Sequence, residues 1–353
     1  SQVPKDRFGI PSSQIILERI KQPGDRLRNS LADELRDALM DLLNKAICEN
    51  GKCFCALYEL NDAELLAKIL EAKNRVHLVL SNTGEDDATN LVSRASLHDS
   101  GIDITDRMVS SGHIGHNKFI VYVDAAGKPS EVLSGSTNWT HTGLCAQSNN
   151  AILIKSEELA NHYLEYWQRL KDDNAEQSLT FREVNNKERN AIVDSAKISL
   201  WFSPNTKSKN KTANSPLPKD LEQVFEAMNN AKKSILFLAF QPGNPSIIDQ
   251  AAQIQSNNPD LFIRGAATDL EAIETASVTL FHRGINDPVF VGAQELKDDF
   301  AYWMAELLKS SRKAHAIIHD KIMVIDAFSN DCVVVTGSHN LGYRASYNND
   351  ENL

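Results

Sequence analysis

Nowhere along the 353 residues does an uninterrupted apolar run reach the roughly 18 residues that a bilayer-spanning helix needs. The N-terminus likewise lacks the basic, apolar, small-residue order of a secretory signal, so the piece in hand reads as soluble. Cysteine is scarce, and its five positions, Cys48, Cys53, Cys55, Cys145 and Cys332, are odd in number and contain no CxxC pair. That pattern argues against a disulfide framework or a zinc site and for reduced core residues, which places the chain in a reducing compartment, the cytoplasm. Positive charge is in short supply: 37 Lys and Arg stand against 47 Asp and Glu, a net of -10. No overall field gathers a polyanion, so nucleic-acid or anionic-membrane binding would need a local basic groove. The densest basic stretch, Lys207, Lys209 and Lys211, lies in an Asn/Ser/Thr/Pro-rich segment and reads as a solvated loop.

What is present is a well-populated core, with 42% hydrophobic and 24% charged residues, enough for one large fold or two domains. Ser30 with Asp33 gives a helix-start signal, Leu31, Leu35, Leu39, Leu42 and Ala46 keep an apolar stripe, and Gly51 supplies a stop. Strands are expected at Cys53 to Tyr58, Val76 to Leu80 and Phe119 to Val123, and alternate with helical material in an α/β pattern. The plan then repeats: a helix through Leu221, Val224, Phe225 and Met228 leads to strands at Ser234 to Ala239, Leu261 to Ile263 and Ile322 to Ile325. The polar stretch Lys171 to Asn190 follows the amphipathic segment Leu159, Tyr163, Leu164, Trp167, Leu170 and reads as an irregular linker. Two half-domains, 1–190 and 191–353, are the economical division. Phe300, Trp303, Met304, Leu307 and Leu308 have helical spacing and read as core.

The most specific feature is a duplicated pair of segments. His116-Asn117-Lys118 precedes Gly135-Ser136-Thr137-Asn138, and His319-Asp320-Lys321 precedes Gly337-Ser338-His339-Asn340. The histidines and lysines are 203 positions apart, and the glycines, serines and asparagines 202. Residues two apart on a strand share a face, so each His-x-Lys sets an imidazole beside an ammonium, and each Ser-x-Asn a hydroxyl beside an amide. Lys118, Lys321, Ser136, Ser338, Asn138 and Asn340 can together supply donors to the nonbridging oxygens of a phosphodiester without a metal or other cofactor. One imidazole is then left to attack phosphorus and the other to protonate the leaving oxygen and activate water.

On these residues the chain resembles the phospholipase D superfamily, whose signature is His-x-Lys-x4-Asp followed by Gly-Ser-x-Asn. The second copy matches through His319, Lys321, Asp326, Gly337, Ser338 and Asn340; in the first, Val123 occupies the acidic position and Asp124 lies one place on. The resemblance implies two pseudo-symmetric half-domains, each a mixed sheet flanked by helices, with the active site at their interface and complete within a monomer. It implies His116 as nucleophile and His319 as general acid and base. It also implies an acidic residue after each Gly-Ser-x-Asn that orients a histidine of the opposite copy: Glu351 fits, and Asn149 is its counterpart. The first copy continues through Ala151 to Ile154 and a helix where the second stops at Leu353, so the second half is expected to be truncated.

The implied activity is metal-independent phosphodiester cleavage through a phosphohistidine, of a phospholipid-like substrate on the strength of the acidic chain and the want of a basic, aromatic-interleaved surface. A DNA or RNA nuclease, transfer by a lipid synthase, and a non-catalytic phosphate-binding repeat are the alternatives. Zinc pairs His113/His116 and His315/His319 are disfavoured by the neighbouring lysines. Trp139 is assigned to packing as readily as to a substrate pocket, and His339 to the surface as readily as to one.

Overall fold

The computed structural model describes residues 13–83, 87–174, 176–209, 212, 214–243, 245–268 and 317–353, with strand segments at 281–282, 285–288 and 290–292. The stripe from Phe300 to Leu308, His315 and Lys211 lie outside the described residues. In chain order the elements are α1 (Ser13–Ile20), α2 (Arg26–Cys48), β1 (Lys52–Leu57), α3 (Ala63–Ala72), β2 (Val76–Ser81), α4 (Asp87–Asp99), β3 (Asp103–Arg107), β4 (Lys118–Val123), β5 (Pro129–Gly135), α5 (His141–Cys145), β6 (Gln147–Ser148), β7 (Ala151–Lys155) and α6 (Glu157–Asp172). They continue with α7 (Leu179–Asn185), β8 (Arg189–Val193), β9 (Ala196–Leu200), β10 (Phe202–Ser203), α8 (Lys219–Asn229), β11 (Ser234–Ala239), α9 (Ile247–Asn257), β12 (Phe262–Ala267), β13 (Phe281–His282), β14 (Ile285–Pro288) and β15 (Phe290–Gly292). The last elements are β16 (Ile317–Ile318), β17 (Lys321–Ile325), β18 (Val333–Thr336), α10 (Tyr343–Asn348) and β19 (Glu351–Asn352).

Packing divides the chain into two compact units, the first built mainly from residues up to Glu176 and the second from Gln177–Asn190 and most of the chain after Ser199. In the first, a six-stranded mixed sheet runs β3-β2-β1-β4-β5-β7. β1, β2 and β3 pair in parallel, while β4 pairs antiparallel with β1 and with β5. β4 is buried along its whole length, so KFIVYV reads as a continuous apolar run rather than an alternating one. On one side of the sheet, Leu39, Leu42, Leu43 and Ala46 of α2 pack into the same core as Cys53, Cys55, Leu78, Leu80 and Ile120. α6 is tied to the sheet by the Trp167 indole, which donates to the Cys55 carbonyl at 2.9 Å. Its far end is closed by Arg107, which pairs with Asp173 at 2.9 Å and donates to its carbonyl at 2.7 Å.

The second unit repeats the order with β15-β12-β11-β17-β18. Here β11, β12 and β15 are parallel, and β17 is antiparallel to β11 and β18. Its core joins Val224 and Met228 of α8 to Ile235, Ile248, Ile263 and Met323.

Three expectations are corrected. α2 starts at Arg26, capped by the Asp25 carboxylate at the N–H of Leu27 and Arg28, and Asp33 instead marks a break with φ 31° and ψ -135°. Lys171 to Asn190 is not an irregular linker: it holds the end of α6 and all of α7, which joins the second unit because buried Arg182 donates to the carbonyls of Gln177 and Tyr347. A helix of seven residues with one apolar anchor carries too little periodicity to be read from sequence. Finally, Cys53, Cys55 and Cys145 are buried, but Cys48 and Cys332 are exposed. Burial pushes the Cys53 thiol up to about 12, as expected of an inert core cysteine.

Candidate active site

In the first unit the antiparallel register sets Leu57, the end of β1, opposite Lys118, the start of β4. The residues just outside this pair, Tyr58 and His116, therefore meet at the sheet's end, with ring centroids 5.0 Å apart in an edge-on arrangement. The Lys118 ammonium folds back to donate to the His116 carbonyl at 2.8 Å and lies 5.0 Å from the centre of the Tyr58 ring. His116 and Lys118 are both buried. An ammonium kept from water is stabilised by a carbonyl and an aromatic face, and is held beside the imidazole.

The second unit builds the same corner from different neighbours. Ala239 is opposite Lys321, and Phe240 takes the place of Tyr58 against His319 at 4.5 Å. Lys321 donates to the His319 carbonyl at 2.8 Å, is 4.9 Å from the Phe240 ring centre, and reaches His319 Nε2 at 3.2 Å. An ammonium only donates, so in this contact Nε2 is the acceptor and the imidazole is held with its ring proton on Nδ1.

The Gly-Ser-x-Asn segments follow β5 and β18. Both glycines permit a close approach: a Cβ at Gly135 would stand 2.2 Å from the Asn150 carbonyl oxygen, and one at Gly337 2.2 Å from that of Asn352. The serine hydroxyls, expected at the phosphate, bond the same segment that each glycine approaches. Ser136 Oγ accepts from the Asn150 N–H at 2.9 Å and donates to Asn149 Oδ1 at 2.8 Å. Ser338 Oγ accepts from the Asn352 N–H at 3.1 Å and from its side-chain amide at 3.2 Å. Asn138 is fully buried and its Nδ2 donates to the Glu59 carboxylate at 2.7 Å. Asn340 is half-buried.

Asn149 and Glu351 occupy matching places in their units but have different local partners. The Asn149 amide donates to the Gly143 carbonyl at 2.8 Å, whereas Glu351 is buried in β19 and accepts from Asn349 Nδ2 at 3.0 Å. The histidine–lysine pairs are thus brought together within each unit, and each serine is joined to the segment that carries the Asn149 or Glu351 position.

The two aspartates after the lysines act on the fold. Asp326 accepts the backbone N–H groups of Lys232, Lys233 and Ser234 and so fixes the entry to β11. Burial acts to raise its pKa, but these N–H groups hold the carboxyl below the ordinary range. Asp124 caps only its own turn, at the N–H of Ala126 and Lys128.

Sequence reasoning missed Glu59, Tyr58, Phe240 and Gln241. The signal was available, because Tyr58 ends a predicted strand and Glu59, Phe240 and Gln241 lie one or two positions beyond one, each strand being paired with one that begins at the motif lysine. His339 is buried rather than at the surface: its Nδ1 accepts from the Leu341 N–H, and Nε2 faces Ser346 Oγ at 2.9 Å and Asp220 at 3.4 Å. Trp139 is also buried, with its side chain in the hydrophobic core of the first unit. Among the described residues, no helix is long and apolar enough to cross a membrane.

Residues 39–171 match the family described as cardiolipin synthase, PLD-like domain. Over those residues the chain is similar to phospholipase D-like proteins. No curated protein sequence matches it. Among solved structures, polyphosphate kinase from Porphyromonas gingivalis shares 12% identity over 91% of this chain and 45% of its own, with a TM-score of 0.51. The chain therefore spans less than half of that kinase, and the likeness is one of fold. The phospholipase D family member Nuc from Salmonella typhimurium is 22% identical over 38% of this chain and 84% of its own, with a TM-score of 0.32. A mutant of yeast tyrosyl-DNA phosphodiesterase is 12% identical over 92% and 86% respectively, with a TM-score of 0.45. The fold class expected from the motifs, a mixed α/β architecture of the phospholipase D type, is the one observed.

Proposed function

We propose that the chain is a phosphodiesterase that cleaves a phospholipid-like phosphodiester through a covalent phosphohistidine, with both histidine–lysine pairs serving one phosphorus. The observation that carries this is the twofold recurrence of one buried corner, in which a lysine folds onto the carbonyl of the histidine two residues before it, at 2.8 Å in both copies. A structural histidine has no reason to be duplicated with its lysine.

In the proposed reaction a ring nitrogen of His116 attacks phosphorus, a P–N bond forms, and the P–O bond to the leaving alcohol breaks. His319 gives that oxygen its proton. In the resting geometry His319 Nε2 accepts from Lys321, and a phosphate competing for the ammonium releases the nitrogen to take up the proton it later gives. His319 then removes a proton from water, the hydroxide attacks phosphorus, and the P–N bond breaks to restore His116. Lys118, Lys321, Asn138 and Asn340 serve the charge on the nonbridging oxygens, while Ser136 and Ser338 shape the loop that carries the asparagines. Glu351 supports the positive charge that develops on an imidazole, and Asn149 is its neutral counterpart.

Support for a lipid-like substrate comes from the net charge of -10 and from the cardiolipin synthase description of the matching family. The test is turnover of a chromogenic phosphodiester in EDTA by wild type, His116→Ala and His319→Ala, followed by a panel of phospholipids and nucleic acids. Each variant is expected to lose steady-state turnover by at least about 100-fold, with headgroup released from micelles by the wild type. Turnover surviving in either variant, or abolished by EDTA, contradicts the mechanism. Cleavage confined to DNA or RNA, falling steeply with salt, replaces the lipid by a nucleic acid.

A further inference from the structure

One buried polar cluster of the second unit stands where the first unit is apolar, and it is built on the residue between Ser338 and Asn340. His339 is 1% exposed, and its Nδ1 accepts the Leu341 N–H at 2.9 Å, which closes a turn with Asn340 at its middle. An imidazole nitrogen that accepts carries no proton. The ring proton is therefore on Nε2, toward Ser346 Oγ at 2.9 Å and Asp220 Oδ2 at 3.4 Å. Ser346 Oγ lies 2.9 Å from both Asp220 oxygens and donates to that carboxylate, which also accepts the Leu221 N–H at 2.8 Å. Burial acts to raise the Asp220 pKa, but the bonds from His339 and Ser346 hold it below the ordinary range. The turn itself is strained: Leu341 has φ 59°, in the left-handed region that L side chains seldom adopt, so its surroundings must hold it there.

Leu39, Leu42 and Ala46 of α2 recur as Leu221, Val224 and Met228 of α8, which sets Ala38 at the place of Asp220. His141 corresponds to Tyr343, which sets Leu144 at the place of Ser346, and Thr137 stands for His339. In the first unit Ala38 and Leu144 pack into the hydrophobic core, and the Thr137 hydroxyl is buried with no hydrogen-bond partner among the described residues. Three positions far apart in sequence thus differ together. An apolar set fills such a space without the desolvation cost of a buried carboxylate, so stability alone gives no reason for the exchange.

Resting on the reading of Asn340 given above, we propose that His339 is a positioning residue for the second phosphate-binding loop, with Asp220 and Ser346 keeping its proton on Nε2 so that Nδ1 stays an acceptor for the Leu341 N–H. A proton on Nδ1 would face the N–H hydrogen, and the turn would open. Asn340 is thereby held for the nonbridging oxygens before substrate arrives. In the first copy the corresponding N–H, that of Trp139, goes to the Glu59 carbonyl at 3.2 Å, a backbone acceptor that needs no control of a tautomer.

The test uses the 353-residue chain and a chromogenic phosphodiester, with thermal melts to confirm folding. His339→Ala is expected to lower kcat/KM about 10-fold, and His339→Asn, whose Oδ1 can take the Leu341 N–H, to recover most of the loss. Placed on Asn340→Ala, His339→Ala adds no further loss, because it acts through that amide. Should His339→Ala fail to fold, the triple variant Asp220→Ala/His339→Thr/Ser346→Leu carries the residues that the first unit already packs. It is expected to melt near wild type and still to show the loss of turnover. Wild-type turnover in the folded triple variant, a His339→Asn variant no better than His339→Ala, or losses from His339→Ala and Asn340→Ala that add in free energy overturn the assignment. Full turnover in Asn340→Ala counts against the reading of the site itself, whereas a normal His339→Ala beside a damaged Asn340→Ala counts against His339 alone.

Discussion

The two copies of the motif agree in backbone and differ in the side chains that surround it. Both lysines reach the preceding histidine's carbonyl at 2.8 Å, and a Cβ at either motif glycine would come within 2.2 Å of the carbonyl oxygen 15 residues on. Around this constant frame, Tyr58 becomes Phe240, Glu59 becomes Gln241, Thr137 becomes His339, and Asn149 becomes Glu351. Close approach of two backbones admits no substituent, so that part of the repeat is fixed by sterics. The neighbours of the catalytic pair are under no such limit, and they are where a nucleophile's surroundings and an acid's surroundings can diverge.

The aspartates give the largest effect on stability through which this comparison can be broken. Asp326 holds three backbone N–H groups at the start of β11, and the first copy has Val123 at that position. Asp326→Ala is expected to destabilise the chain by about 1–2 kcal/mol in urea or thermal unfolding, in the range of a lost cap. Asp124→Ala removes only a local turn contact and should cost about 0.5 kcal/mol. Equal costs would mean that the second copy's aspartate has no special hold on its strand. Because the folded pKa of Asp326 is depressed, its contribution is full above the ordinary carboxylate value of about 4 and is lost as pH falls through the lower folded value.

A smaller effect sharpens the same comparison at the short helix after each Gly-Ser-x-Asn, where His141 in α5 corresponds to Tyr343 in α10. Burial, and then the nearby Lys21 and Arg28 charges, push the His141 imidazole down to about 4. The unfolded chain then binds the proton more readily. Stability from this residue is full above about pH 6.5 and declines as pH falls toward about 4, below which it changes no further. Melting curves across that window should show the decline in wild type and a flatter profile in His141→Gln; an unchanged profile would contradict the assignment.

Strand positions and motif were legible because both are local. Ser234–Ala239 was delimited from its apolar run alone, and β4 and β17 begin one residue before their predicted starts, at the motif lysines. The doubled spacing was enough to draw the likeness to phospholipase D-like proteins that the family match over residues 39–171 bears out. What sequence did not reveal depends on contacts between distant positions. Asn138 and Glu59 are 79 residues apart, Arg182 and Tyr347 are 165 apart, and His339 meets Asp220 only because α8 packs beside α10. The serine hydroxyls were assigned to phosphate because residue type says that they can donate. Within the fold they also bond residues 14 positions on, across a turn whose closure the sequence does not specify.

The central claim is that the two copies hold different roles on one phosphorus, and the most direct measurement is a single-turnover reaction of His319→Ala with a nitrophenyl phosphodiester, acid-quenched and mapped by mass spectrometry. Nitrophenolate leaves without an acid, so the account predicts one equivalent of release per chain and a phosphoryl adduct on His116 that persists for want of the base that activates water. An adduct on His319 in the His116→Ala variant, or steady turnover without any adduct, would contradict it.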